Sequence, residues 1–254
     1  MNVWHNEKLL NGIANGLFVV AGLLAGYFAV LFATQWPGLP LRGVTVEGAP
    51  RHVTAEQIAG QLEGRVQGNF FGANLSDVRA ALQELPWVRR VEVRRAWPDR
   101  LAVRIEEHVA MARWPDDRLV NTFGELFVGS PMPQLPLLGG PAGSQREVAE
   151  RFHAFRRILA PIGAEPVQVL LSPRLAWEIR ATLPDRPTLF IDLGRDQPKQ
   201  PANERLARFD AVYPSTVGRL ASRIDYVDLR YPNGFALRVP DLKEEAPEPR
   251  RKRT

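Results

Sequence analysis

The chain of 254 residues contains no cysteine. That excludes a disulfide framework, cysteine-based zinc sites and a cysteine nucleophile. Histidine is scarce: His5, His52, His108 and His153 are scattered, with neither His-x3-His nor His-Glu-x-x-His spacing. A P-loop, a Gly-x-Ser-x-Gly elbow and a Ser-x-x-Lys pair are also missing. Asp116-Asp117 falls in an expected turn and reads as a solvated pair, and Gly194-Arg195 reads as a turn rather than a phosphate cradle. No catalytic residue, cofactor site or metal site is assigned, and binding without chemistry is the expectation.

The absence that says most is of charge. No charged residue lies between Lys8 and Arg42, and the core of that stretch, Ile13 to Ala33, reads IANGLFVVAGLLAGYFAVLFA. Twenty-one residues at about 1.5 Å each span roughly 30 Å, the thickness of bilayer hydrocarbon. A signal peptide has a shorter apolar region and a cleavage site, so the stretch reads as an uncleaved anchor over 13–35 after a tail at 1–12. Trp4, Tyr27 and Trp36 are available at the interfaces, and Pro37-Gly38 ends the span. Lys8 on one side and Arg42 and Arg51 on the other do not settle orientation by charge. The short N-terminal tail favours the cytoplasm, with the rest outside. Gly22-x-x-x-Gly26 and the stripe Ala21, Ala25, Ala29, Ala33 permit helix pairing in lipid.

What is present after the anchor is ordinary for a folded body: 45% hydrophobic and 24% charged. The net charge of +5 is partly local, in the terminal run Arg250-Arg251-Lys252-Arg253. Residues 241–254 mix Pro, Glu and Arg without apolar periodicity and are expected to be disordered.

Val44 and Val46 alternate with polar residues up to Gly48, a short strand. Thr54 and Gln57 form a capping box ahead of Ile58 and Leu62. Leu75, Val78, Leu82 and Leu85 make one helical stripe, capped by Asn74 or Ser76 and closed by Pro86. Trp87–Arg95 and Leu101–Glu107 alternate as two strands around Trp97-Pro-Asp-Arg100. Val91, Val93, Leu101, Val103 and Ile105 fall on one face, and Arg90, Arg94, Arg100 and Arg104 on the solvent face. Nucleic acid is not expected there, because that face lacks interleaved aromatics.

Further on, Arg118–Asn121 and Glu125–Val128 bracket a turn, and Pro131–Gly143 reads as loop-rich. Ser144–Leu159 is an amphipathic helix with Val148, Phe152, Phe155 and Leu159 on one face. Strands follow at 167–171, 175–183 and 188–193, then a helix from Ala202 to Tyr213. The chain ends in a hairpin, Ile224–Tyr231 and Phe235–Val239, about the turn Pro232-Asn-Gly234.

The order strand, helix, helix, strand, strand within about 70 residues is the plan of a POTRA domain. The run Leu85-Pro-Trp-Val-Arg-Arg-Val-Glu-Val-Arg-Arg-Ala-Trp-Pro-Asp-Arg-Leu-Ala-Val-Arg-Ile-Glu-Glu107, after one anchor and Val44-x-Val46-x-Gly48, resembles the bacterial cell-division family FtsQ/DivIB. So do Ala112-Arg-Trp114, Leu119–Phe127 and Asp225-Tyr-Val-Asp-Leu-Arg-Tyr231. The resemblance implies an α+β chain: a single transmembrane helix, a POTRA domain over 41–108 (β-α-α-β-β), and over 109–240 a mixed, mostly antiparallel β domain with flanking helices. It implies a non-enzymatic divisome scaffold at the septum, single-pass in the bacterial inner membrane with its large part periplasmic. The partners implied are FtsB and FtsL and, through them, FtsW and FtsI, with lipid around the anchor and self-association possible. For the partner site it points to Arg230, Tyr231, Asn233, Gly234, Phe235 and Leu237 in the last hairpin, joined by Arg174. Two other readings are a POTRA component of outer-membrane assembly or secretion, and a membrane-tethered cell-wall hydrolase.

Overall fold

A computed structural model describes residues 7–35, 40–65, 69–184, 186–216, 218 and 224–239. The expectations for Trp4, Trp36, Pro37-Gly38 and the terminal tail lie outside them. The chain divides into two units, 1–107 and 108–254.

The first unit opens with helix α1, Glu7–Gln35, whose apolar span Asn11–Phe32 is long and apolar enough to cross a bilayer. Leu17, Phe18, Leu23 and Phe28 are exposed on it. The space beside Gly22 and Gly26 is open. Next come β1 (Gly43–Glu47), α2 (Ala55–Leu62), α3 (Leu75–Gln83), β2 (Val88–Ala96) and β3 (Arg100–Glu107). The sheet order is β1-β3-β2, with β1 parallel to β3 and β2 antiparallel to it.

The expected capping box forms: Thr54 Oγ1 accepts from Gln57 N–H at 3.3 Å, and Gln57 Oε1 accepts from Thr54 N–H at 2.9 Å. Asn74, not Ser76, caps α3, by accepting from Ser76 N–H at 3.0 Å. Ile58, Leu62, Val78 and Leu82 are buried, as are Val91, Val93, Leu101 and Val103 of the sheet, whereas Leu75, Leu85 and Ile105 are half-buried at the rim.

On the opposite face the arginines are largely paired. Arg94 and Arg104 both reach Glu47, and Arg89 meets Glu106 at 2.6 Å. Glu107 closes the domain differently: its carboxylate accepts from the backbone N–H groups of Arg51, His52 and Val53 at 2.8–2.9 Å. Burial alone would push this carboxyl up, but the N–H donors and the His52 ring together hold it below the usual carboxylate range. His52 also stacks on Trp87, with ring centroids 3.8 Å apart.

The second unit is a nine-stranded sheet with helices on one face. Its elements are β4 (Ala110–Arg113), β5 (Leu119–Asn121), β6 (Leu126–Phe127), β7 (Leu137–Gly139), α4 (Gln145–Leu159), a 3-10 turn (Ala160–Ile162), β8 (Glu165–Leu171), β9 (Ala176–Leu183), β10 (Arg186–Arg195), α5 (Ala202–Val212), β11 (Tyr226–Asp228) and β12 (Ala236–Arg238). The sheet order is β12-β11-β10-β9-β8-β7-β4-β5-β6. Pairing is parallel at β10–β11, β4–β7 and β7–β8 and antiparallel elsewhere.

Val148, Phe152, Phe155 and Leu159 of α4 pack with Leu206 and Phe209 of α5 on Trp177, Ile179 and Ile191. Phe155 meets Trp177 edge-on at 5.7 Å. His108 is a packing residue, stacked on Phe127 at 4.3 Å with Nδ1 2.9 Å from the Asn121 amide.

Two expectations change here, and one segment gains an element. Pro131–Gly143 is loop-rich as expected, but the strand β7 lies within it and joins the β4–β6 end of the sheet to β8. Three residues between prolines are too few to show a period. Gly194-Arg195 is not a free turn but the end of β10, with a bulge between Asp192 and Gly194. The last hairpin has short strands joined by a seven-residue link, 229–235, and neither Asn233 nor Gly234 takes the positive φ of a tight two-residue turn.

Candidate functional site

β12 is an edge strand. It pairs with β11 in the register Tyr226↔Arg238, Val227↔Leu237 and Asp228↔Ala236, and no other strand flanks it among the described residues. Such an edge leaves a row of backbone N–H and C=O groups open to another chain.

The link 229–235 is fastened through Arg230, Pro232 and Phe235, besides the Leu229 N–H that donates to the Asp192 carbonyl at 2.8 Å. Arg230 makes a bidentate pair with Asp228, Nε to Oδ1 at 2.9 Å and Nη2 to Oδ2 at 2.6 Å, and its Nε lies 3.4 Å from Asp192 Oδ2. Arg208 of α5 donates Nη1 to the Pro232 carbonyl at 2.8 Å. Phe235 turns inward to meet Phe209 edge-on at 5.6 Å. Pro232 thus lacks a donor but contributes an acceptor that holds the link on α5. These fastenings replace the tight turn that Asn233-Gly234 suggested.

The bulge in β10 makes room for Arg230. Gly194 has φ of 66°, and a Cβ there would sit 2.8 Å from Arg230 Cγ, so a side chain is excluded on both counts. Asp192, beside the bulge, accepts from Gly194 N–H at 3.0 Å and from the Tyr226 hydroxyl at 3.3 Å. Asp228 is buried, and the Arg230 guanidinium holds its carboxyl below the usual range. Arg230 itself is pushed further up by the Asp228 hydrogen bond and the Asp192 charge. Burial and the neighbouring Asp192 raise the Tyr226 hydroxyl.

Between α5 and the link lies a cleft of about 290 Å³, walled by Phe209, Val212, Leu229, Asn233, Gly234 and Phe235. Its floor rests on Arg205, only 2% exposed, which donates to the carbonyls of Gln200 at 2.6 Å and Arg195 at 2.7 Å.

Arg230, Tyr231, Asn233, Gly234, Phe235 and Leu237 therefore meet at one corner of the sheet, but not in one role. Arg230 is committed largely to Asp228. Phe235 and Leu237 are half-buried and pack on the core. Tyr231, 54% exposed, projects to solvent. Arg174 lies in the exposed β8–β9 link, at the sheet end where Ala176 pairs with Arg195. β10 and β11 finish at that same end, so Arg174 and Tyr231 share it, separated by β10.

The sequence reading missed Asp192, Arg205, Arg208 and Phe209. The spacing Asp225-Tyr-Val-Asp228-Leu-Arg230 held a clue to the Asp228–Arg230 pair, but nothing local linked α5 to residue 232.

Comparison with known proteins follows this architecture. Residues 39–108 match the family described as POTRA domain, FtsQ-type, and residues 112–230 match that described as Cell division protein FtsQ/DivIB, C-terminal. The Cell division protein FtsQ of Nitrosospira multiformis is 39% identical over 93% of this chain and 99% of its own length. That of Burkholderia pseudomallei is 36% identical over 95% of this chain and 96% of its own. That of Bordetella pertussis is 34% identical, covering 96% and 95%.

Proposed function

The chain belongs to the FtsQ/DivIB family of bacterial cell-division proteins, with an FtsQ-type POTRA domain, and from that premise we propose that it is a non-enzymatic scaffold of the divisome. One helix holds it in the bacterial inner membrane, with the tail cytoplasmic and residues 37 onward periplasmic. It links early and late division proteins at the septum by binding FtsB and FtsL, and through them FtsW and FtsI.

The observation that carries this reading is the open edge of β12 beside the Phe209–Phe235 cleft. A segment of FtsB adds a strand to β12, and backbone pairing sets its register. An apolar side chain of the partner enters the cleft, and Tyr231 supplies a rigid anchor at the rim. Arg230, already paired with Asp228, acts chiefly by holding the link 229–235 in shape. Its outward face offers the remaining donors of a five-donor guanidinium to a partner carboxylate. Arg174 extends the patch toward β9.

The test is titration of the periplasmic part of FtsB onto the full chain in detergent. Tyr231→Ala should weaken binding at least about tenfold, equivalent to 1.4 kcal/mol, while thermal stability stays unchanged. Phe123→Ala, an exposed aromatic on the β5–β6 turn at the other edge of the sheet, should bind as wild type. A folded Tyr231→Ala protein with wild-type affinity would refute the site.

A further inference from the structure

Among the described residues of the POTRA domain, the most exposed large hydrophobic side chain lies at the end where the chain arrives from α1. Trp97, at the tip of the β2–β3 hairpin, is 81% exposed, and Phe71 is 48% exposed. Arg95, two residues before Trp97, donates to the carbonyls of Phe70, Phe71 and Ala73 at 2.9–3.0 Å, which brings the two aromatics to one end of the domain. The incoming chain reaches this same end. Pro40 bridges to Asn69, and Arg42 N–H donates to the Asp99 carbonyl at 2.8 Å. Arg42 and Arg100, both largely exposed, share the single carboxylate of Asp99 at 3.5 and 3.9 Å, which leaves the tip with an excess positive charge.

We propose that this end of the POTRA domain, Trp97 and Phe71 flanked by Arg42 and Arg100, docks on the phospholipid headgroup surface of the membrane in which α1 is anchored. The occupant follows from the tether. Four residues lie between Gln35 and Pro40, so the five Cα–Cα steps span at most about 17 Å, and Gln35 lies three residues, about 4.5 Å, past the apolar span. Of the surfaces a partner could offer, the bilayer interface is the one held permanently within that reach. Its chemistry fits: tryptophan favours the headgroup layer, where one part of the ring is apolar and another wet, and arginine meets phosphate. An exposed ion pair holds its arginine weakly, so Arg42 and Arg100 can turn from Asp99 to lipid. Docking at a second point would restrict the swing of the domain on its linker, a role distinct from partner capture at β12.

The inference rests on α1 spanning the bilayer, and the experiment separates the two. The chain has no cysteine, so Phe71→Cys and Arg90→Cys each place one fluorophore. Residue 90 pairs with Glu106, roughly 20 Å along the hairpin from the Ala96↔Arg100 rung. The labelled full chains are reconstituted into vesicles of phosphatidylcholine, with or without phosphatidylglycerol, that carry a headgroup-attached quencher, and are floated on a density gradient. Failure to float overturns the anchor, and the docking with it.

In the floated protein, the label at 71 should be quenched at least twofold more than the label at 90. Trp97→Ala should remove that difference, and Arg100→Glu should lower it only in vesicles containing phosphatidylglycerol. Equal quenching at 71 and 90, or undiminished quenching at 71 in folded Trp97→Ala, overturns the proposal, because tether length alone would then set the proximity.

Discussion

Asp210 sits on α5 with Oδ1 buried and facing no donor among the described residues, and burial pushes its carboxyl above the usual range. The sign follows directly. Its charged form is disfavoured in the folded state, so the penalty is absent below the unfolded pKa near 3.9 and complete above the raised folded value. Asp210→Asn should therefore raise the melting temperature of the chain at pH 7 by roughly 2–4 °C. The gain should vanish near pH 3.5, and a constant gain across that range would contradict the assignment. Asp228 has the opposite sign: with its carboxyl held down by Arg230, its stabilisation is full above the unfolded pKa and fades as pH falls through the folded one. Such pairs were only half legible in the chain. Asp228 and Arg230 stand two apart, but that Asp228 is buried, and that Gly194 leaves room for Arg230, depends on strand residues 36 positions upstream.

At the scale of elements, helix α3 against β2 is the clearest case of a face read from periodicity. Val78 and Leu82 are buried in the first unit, as are Val91, Val93 and Leu101 of its sheet, as their spacing required. Leu82 is fully buried, so Leu82→Ala should cost about 2–5 kcal/mol. Arg94, exposed and, among the described residues, paired with Glu47, should cost about 0–1 kcal/mol on truncation. Chemical denaturation of the two variants checks this, and equal losses would contradict the facing. Elements with a cap or a full stripe were legible, α2 through its capping box and α4 through four apolar residues on one side. β7 was not, because three residues carry no period and their strand character comes from β4 and β8 on either side. The last hairpin was legible in position but not in form. Asn233-Gly234 favours a tight turn, but Arg208 binding Pro232 and Phe235 packing on Phe209 outweigh that local preference.

For the whole molecule, the proposed membrane setting rests on α1, whose span Asn11–Phe32 is long and apolar enough to cross a bilayer. Leu23, 70% exposed in mid-helix, would face lipid, and Leu23→Arg should cost about 2.5–3.5 kcal/mol of insertion free energy. Membrane fractionation should show loss of integration. A reporter active only in the cytoplasm, fused after Val239, should stay silent in the wild type. Activity there would reverse the orientation and remove the periplasmic partner reading with it.

By itself, the sequence determined the membrane-length apolar span and the buried face of most amphipathic elements, and its motifs carried the resemblance to the FtsQ/DivIB family and its POTRA plan. The span and the faces depend on composition and short-range periodicity, which 3.6- and 2-residue repeats write directly into the chain, whereas the resemblance rests on the order of particular residues in those motifs. Only the tertiary structure decided that β12 forms a sheet edge, that β7 bridges the nine strands, that Arg205 and Arg208 hold the candidate site from α5, and that Trp97, Phe71 and Arg42 meet at one end of the POTRA domain. Those depend on contacts between residues tens of positions apart. Such pairings are chosen by packing and by the satisfaction of buried polar groups, which no local pattern records.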